Sequence, residues 1–463
     1  MSKKIKFLQF GEGNFLRAFV DYMICQANNR KLLDGGVRVF NVRKTGSVEK
    51  LKANGCTYHL VLRGIGENGA VSETTKVDSI IDAFNPYTEF ADFISSALLP
   101  DVRFVISNTT EAGIYFDEND KIEDCPPTSF PAKLTLLLLR RFEHFNGDES
   151  KGLVMLPCEL LERNGDSLKD CVFKYVQHWN LSDAFKTWLE KACVFCNTLV
   201  DRIVSGHPAP DDKFIKDQTV LSDSLSVVGE PYLLWVIESP IELESELPFA
   251  KCGLNVVFTN DISPYRARKV VLLNAPHTLM TAIGVQMNIP TVLDAVSDKI
   301  VGDYLQKLIF SELIETLDMP RNELETYANE ILNRFRNPYL EHQLLSIANN
   351  AIAKCKVRAI PSLEKYFNKN KTFAPAIMFG LASNITMAFA NKAYLPDTAD
   401  AKPLLDETNL ESFAEKLACC KSFAGEIFAQ DTNFKNELVR LVKSIQQNGI
   451  EVALKELLYG KIA

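Results

Sequence analysis

A chain of 463 residues exceeds what one hydrophobic core usually supports, so two domains are expected. It is 46% hydrophobic and 24% charged, as globular proteins are, and its net charge of -8 argues against nucleic acid or an anionic membrane as partner. The apolar run at the N-terminus ends within a few residues and nothing approaches the roughly 18 apolar residues of a membrane span, so neither a signal peptide nor a membrane helix is expected.

Ile5–Phe10 reads as a short apolar strand, followed by Gly11-Glu12-Gly13-Asn14-Phe15 and a helical run to about Asn29. Strand, glycine turn and helix in that order open a dinucleotide-binding fold, where glycines let the backbone approach a pyrophosphate. The third glycine of that fingerprint is missing, and Leu16 and Arg17 stand in its neighbourhood. A plain tight turn is the competing reading, and Arg17 is expected either to reach phosphate or to be solvated. Val37–Val42 reads as a second strand. It ends in Arg43-Lys44-Thr45, without the acidic residue that usually holds a ribose, which on charge alone leans towards a 2′-phosphate and NADP.

Val102–Ser107 is a further buried strand, with Asn108-Thr109-Thr110-Glu111-Ala112-Gly113 just past its carboxyl end, where open α/β sheets bind ligands. Ala132–Phe145 is an amphipathic helix whose leucine stripe belongs to a core. Gly152–Pro157 is another strand and leads to Asn164-Gly165, a turn signal whose amide would lie at the same sheet edge and could donate to a substrate oxygen. Asn197–Ile203 brings Asp201 and Arg202 together, as an ion pair or cap, or as a partner for a substrate hydroxyl. Glu230–Glu238 and Leu254–Phe258 supply the last strands. The eleven cysteines lack framework spacing and suit a reducing cytoplasm, and Cys193 and Cys196 read as buried thiols.

After Asp261 the strand-like runs give way to amphipathic helical segments, such as Leu324, Tyr327, Ala328, Ile331, Leu332 and Phe335. The expected architecture is therefore an α/β, Rossmann-like N-terminal domain with a mostly parallel sheet over residues 1–260, followed by an all-helical domain over 261–463. Ser263–Met280 opens that second domain and is expected to lie against the cleft. It carries Lys269, Asn274 and His277; at about 100° per residue, Asn274 lies roughly 140° and His277 roughly 80° from Lys269. A lysine, an amide and an imidazole facing one pocket suit acid/base work on a carbonyl/alcohol pair. Pro276 is expected to kink the helix or restart it. Arg334 and Arg336, ahead of Pro338, form a candidate clamp for a carboxylate, or simply finish a helix.

These pieces together resemble the mannitol dehydrogenase family of long-chain polyol and uronate dehydrogenases. The matching stretches are Phe10–Ala18, Ser107–Gly113, Pro157–Gly165, Asn197–Ile203, Trp235–Glu238 and the lysine–asparagine–histidine set, and they lie nearer the uronate-reducing branch. The resemblance implies a cytoplasmic, metal-independent, NAD-dependent oxidoreductase acting on a small hexuronate. It implies a dinucleotide site built from Phe10, Gly11, Gly13, Asn14, Phe15, Arg17, Thr109 and Glu111. Lys269 would be the general acid/base, Asn274 and Asn164 would polarise the carbonyl, His277 would orient the substrate, and Asp201, Arg334 and Arg336 would bind it. Within the enzyme class the alternatives are a fructuronate reductase or a mannitol dehydrogenase, and a non-catalytic dinucleotide sensor is the competing class. The oligomeric state is not legible.

Overall fold

The computed structural model describes residues 3–66, 69–110 and 112–460. The chain forms two compact units, Met1–Ile262 and Ser263–Ala463.

The first unit is built on three sheets. Its main sheet contains β1 (Ile5–Phe10), β2 (Gly36–Phe40), β5 (Ile80–Phe84), β6 (Phe104–Ser107), β7 (Val154–Pro157) and β8 (Val194–Phe195), in the order β5-β2-β1-β6-β7-β8. Every pairing in it is parallel. Counted along the chain this is the 3-2-1-4-5-6 order of a doubly wound dinucleotide fold, with its switch point between β1 and β6. The strands read as continuous apolar runs because both faces are covered. Phe7, Val39, Ile106 and Leu156 face one core, and Leu8, Phe10, Val105 and Met155 face the other.

Two smaller sheets complete the unit. One joins β3 (Tyr58–Gly66), β4 (Gly69–Val77), β10 (Val204–Gly206) and β11 (Val227–Gly229); the other joins β9 (Asn197–Asp201), β12 (Leu234–Glu238) and β13 (Val256–Thr259). The β3–β4 hairpin, paired from Tyr58 with Val77 to Gly66 with Gly69, was not anticipated.

The second unit has no strand among the described residues. Helix Ala275–Gln286 packs against Pro375–Ala390, and Gly380 permits the approach: a Cβ there would sit 2.5 Å from Tyr304 Oη and 2.8 Å from Leu279 Cβ. Glu312 caps the second of these helices from a distance, accepting from Ala376 N at 2.8 Å and Ile377 N at 2.9 Å. The apolar stripe from Leu324 to Phe335 is buried along helix Arg321–Phe335.

Candidate active site

At the switch point of the main sheet, Gly11 has φ +119°, and a Cβ on it would lie 2.9 Å from Asn108 O. Glycine is therefore required where the turn after β1 meets the turn after β6. Gly13 has no atom within 4 Å of its Cβ position, so the turn has an open surface there. The turn is tied from below. Gln9 Nε2 donates to Gly11 O at 3.0 Å and to Asp21 Oδ2 at 3.3 Å, and burial pushes the Asp21 carboxyl up to about 7. A polar residue inside an apolar strand was the available signal for Gln9.

The missing third glycine has a structural answer. Its usual role is close helix–strand packing; here the helix runs only from Asn14 to Ala18, turns at Phe19, and resumes as Val20–Asn29. Arg17 consequently points inward, contrary to both expectations for it: it is buried, donates to Leu225 O and Asn14 Oδ1, and stacks on Tyr58. Phe10 also differs from its expected role, since its ring is core, packed on Phe40 and Phe130, and only its carbonyl reaches the switch point, accepting from Asn108 N. Asn14 is exposed and Phe15 half-buried against Phe19.

Thr109 is held by a residue that the sequence did not flag. Glu159, itself buried, accepts from Thr109 N and Thr109 Oγ1 at 3.0 Å each and from Ser107 Oγ at 3.0 Å. Thr110 is left at φ +124°, a conformation that a β-branched residue adopts only under constraint. Glu111 lies outside the described residues. A cavity of about 500 Å³ opens here, lined by Val42, Arg43, Lys44, Thr109, Thr110 and Tyr115 among others. The glycine surface and this cavity fit a dinucleotide laid across the sheet's carboxyl edge, with the basic pair beyond β2 at its rim.

Asn164 differs from its expected role. Its Nδ2 lies within hydrogen-bond distance of Pro157 O, Glu159 O, Thr198 O and Thr198 Oγ1, and its Oδ1 accepts from Gly165 N and Thr198 N at 2.9 Å each. The carboxamide is fully buried and locks β7 to β9, with nothing left for a substrate oxygen. Asp201 is buried at the end of β9, and its neighbour Arg202 donates to the carbonyls of Ala18, Glu230 and Pro231. Cys193 and Cys196 are free buried thiols, pushed up to about 12 and about 11 by burial.

In the second unit the segment holding the other candidates is not one α-helix. Ser263–Lys269 is α-helical, Val270–Asn274 is a π-helical turn, and Ala275–Gln286 is α-helical again without a break, with Pro276, which has no N–H to give the ladder, just past the turn. A π turn bonds residue i to i+5, so it stacks residues five apart much as an α-helix stacks residues four apart. Lys269 and Asn274 are five apart. The turn lies between them and changes the roughly 140° separation of a regular helix, and His277 follows in the next α-helix. Thr278 Oγ1 donates to Asn274 O at 2.9 Å, satisfying a carbonyl of the irregular turn.

Lys269, Asn274 and His277 are each half-buried. The His277 ring stacks on Phe335 at 4.8 Å and meets the edge of His342 at 5.0 Å. Burial, then the neighbouring His342 and the charges of Arg358, Arg334 and Lys354, hold its pKa down to about 3. It is a neutral imidazole, and its Nε2 is buried without a hydrogen-bond partner among the described residues. Arg334 is buried one residue before Phe335, whereas Arg336 is exposed past the helix end. Among the described residues no cluster of His, Cys, Asp or Glu is arranged to hold a metal ion.

A doubly wound, dinucleotide-type sheet followed by an all-helical unit defines a dehydrogenase of the dinucleotide-binding class. The family model for the mannitol dehydrogenase Rossmann domain matches residues 5–250, and that for the mannitol dehydrogenase C-terminal domain matches residues 261–449. The chain belongs to the mannitol dehydrogenase family. Among its relatives, the altronate oxidoreductase of Phocaeicola vulgatus is 40% identical over 463 residues, spanning 98% of this chain and 97% of the relative. That of Escherichia coli O7:K1 is 42% identical over 381 residues, 82% of this chain and 79% of the relative. The fold is shared with a substrate-free D-sorbitol dehydrogenase (TM-score 0.83, 21% identity, covering 98% and 95% of the two chains). It is shared too with Pseudomonas fluorescens mannitol 2-dehydrogenase, solved with NAD and D-mannitol (TM-score 0.70, 19% identity, 98% and 94%).

Proposed function

We propose that this protein has altronate oxidoreductase activity, interconverting D-altronate and D-tagaturonate with NAD(H). The first unit would hold the dinucleotide through the turn Gly11–Phe15, Thr109 and the cavity beside them. The second unit carries the proton-transfer residues. When NAD(H) is bound, its nicotinamide would supply the hydride in reduction and accept it in oxidation. Lys269 Nζ gives its proton to the carbonyl oxygen as the carbon is reduced, and takes it back in the other direction. Asn274 Nδ2 donates to the developing alkoxide, an interaction worth about 3 kcal/mol in comparable oxyanion sites. His277 remains neutral and uses Nε2 to orient a substrate hydroxyl, and Asp201, Arg334 and Arg336 are further candidates for substrate contact.

The observation that carries this reading is the buried Nε2 of His277, without a partner among the described residues, just past the π turn that lies between Lys269 and Asn274. A polar atom sealed from water without a partner is costly unless a ligand completes it. The unpaired cysteines fit a reducing cytoplasm as the place of action. The test is a parallel assay of NADH and NADPH oxidation with D-tagaturonate, D-fructuronate and D-fructose. The reading requires D-tagaturonate with NADH to give the highest kcat/KM. Preference for either other sugar reassigns the substrate, and consumption of none supports a non-catalytic dinucleotide sensor.

A further inference from the structure

Helix Ala351–Arg358 carries two cations one turn apart, Lys354 and Arg358. Arg358 Nη1 donates to Thr278 Oγ1 at 2.9 Å, the same hydroxyl that donates to Asn274 O, so the guanidinium is pinned one residue from His277. Lys354 Nζ donates to Ile347 O at 2.8 Å. Both side chains are half-buried, and burial lowers the pKa of each. Neither has a carboxylate partner among the described residues, and beyond Thr278 the guanidinium makes no other hydrogen bond to them.

Two neighbouring, partly desolvated cations without a counter-ion are unfavourable by themselves, and a bound anion removes that cost. The other basic residues at hand are placed differently. Arg334 acts together with Arg268 on the carboxyl of Glu330, and Arg336 is exposed. A planar guanidinium with open N–H groups matches a carboxylate bidentately. We propose that Arg358 holds the carboxylate of the sugar-acid substrate, with Lys354 adding to the field, and so selects a hexuronate over the neutral ketohexose of the same skeleton. The assignment rests on the reading of the second unit as the substrate-binding part. In a ketohexuronate three hydroxyl-bearing carbons separate the carbonyl from the carboxylate. One end would then answer to Lys269, Asn274 and His277 and the other to Arg358.

The experiment measures NADH oxidation by wild type, Arg358→Gln and Arg358→Lys, each with D-tagaturonate and with D-tagatose, which carries a hydroxymethyl group in place of the carboxylate. Arg358→Gln is expected to lower kcat/KM for D-tagaturonate about 100-fold, mostly through KM, and to change D-tagatose by less than about twofold. Arg358→Lys keeps the charge and loses the fork, so its loss is expected to be about tenfold and again confined to the uronate. Should the glutamine variant fail to fold, the lysine variant carries the test alone. A wild type that prefers D-tagaturonate, with variants that keep the preference or lose both activities equally, overturns the role of Arg358. A wild type without that preference overturns the proposed activity as well.

Discussion

Arg141 and Arg202 of the first unit and Arg358 of the second are shielded guanidiniums that differ in what their N–H groups do. Arg141 donates to the carbonyls of Lys151, Ala97, Leu99 and Val102, and Arg202 to those of Ala18, Glu230 and Pro231. Burial pushes both down to about 10, yet their donors are engaged, so they act as braces of the frame. Arg358 donates to one hydroxyl. Asn164 and His277 repeat the contrast: the amide is saturated, and the imidazole keeps a buried nitrogen without a partner among the described residues. A saturated polar side chain should cost stability when removed, and an open one should cost activity.

The sharpest break of that rule would come at Lys269. Lys269→Ala is expected to lower kcat for D-tagaturonate reduction by about 1,000-fold, while NADH affinity by fluorescence titration stays within about twofold. A variant that still turns over near the wild-type rate removes the lysine from the chemistry. Asn164→Ala should do the opposite. It strands Thr198 N, Gly165 N and several carbonyls in a dry interior, which costs about 3 kcal/mol of stability. The fraction that folds should keep kcat within a few-fold. A 100-fold fall in kcat at unchanged Tm would return Asn164 to the substrate and overturn its assignment as a brace.

The difference between those two asparagines explains what was legible in the sequence. Strand, glycine turn and helix at Ile5–Asn29 could be read because each signal is local. The parallel sheet and the change to helices after Asp261 could be read because period and apolar runs survive in one dimension. The destination of a side chain could not be. Asn164 is held by Thr198, 34 residues on, Arg17 by Leu225, 208 residues on, and Thr109 by Glu159. The local geometry around Lys269 and Asn274 could not be read either: angles taken from a regular α-helix assume an unbroken ladder, and a π turn lies between the two residues. Arg358 was passed over because a basic residue ending a helix is ordinary in sequence, and its closeness to Thr278 appears only in the fold.

A subtler probe moves the wall without touching its chemistry. Gly380→Ala presses a methyl against Tyr304 Oη and Leu279 Cβ and wedges Pro375–Ala390 away from the helix that carries His277. Overpacking of this kind costs about 2 kcal/mol. Its signature is a raised KM for D-tagaturonate with unchanged NADH affinity, alongside the lowered Tm. An unchanged Tm would mean that the two helices do not depend on close approach at Gly380.

The smallest expected effect tests the protonation state of His277. Its pKa is about 3 in the folded chain against the ordinary 6.5, so between these values the unfolded chain binds a proton that the folded one does not. Stability from this residue is therefore complete above pH 6.5 and is lost as pH falls towards 3. From pH 7 to 5.5 the loss is about 1.3 kcal/mol. Asp21 and Glu312, both pushed up to about 7 by burial, act in the other direction over this range: they favour the folded state increasingly as pH falls. Their contribution is common to wild type and to His277→Phe, which keeps the stack on Phe335, so it cancels in the comparison. Unfolding measured for both at pH 7 and 5.5 should show the wild type losing more stability on acidification. Equal losses would mean that the imidazole takes up a proton in the folded state. His277 would then compete with Lys269 for the proposed role of proton carrier, and the proposal that the histidine only orients the substrate would fail.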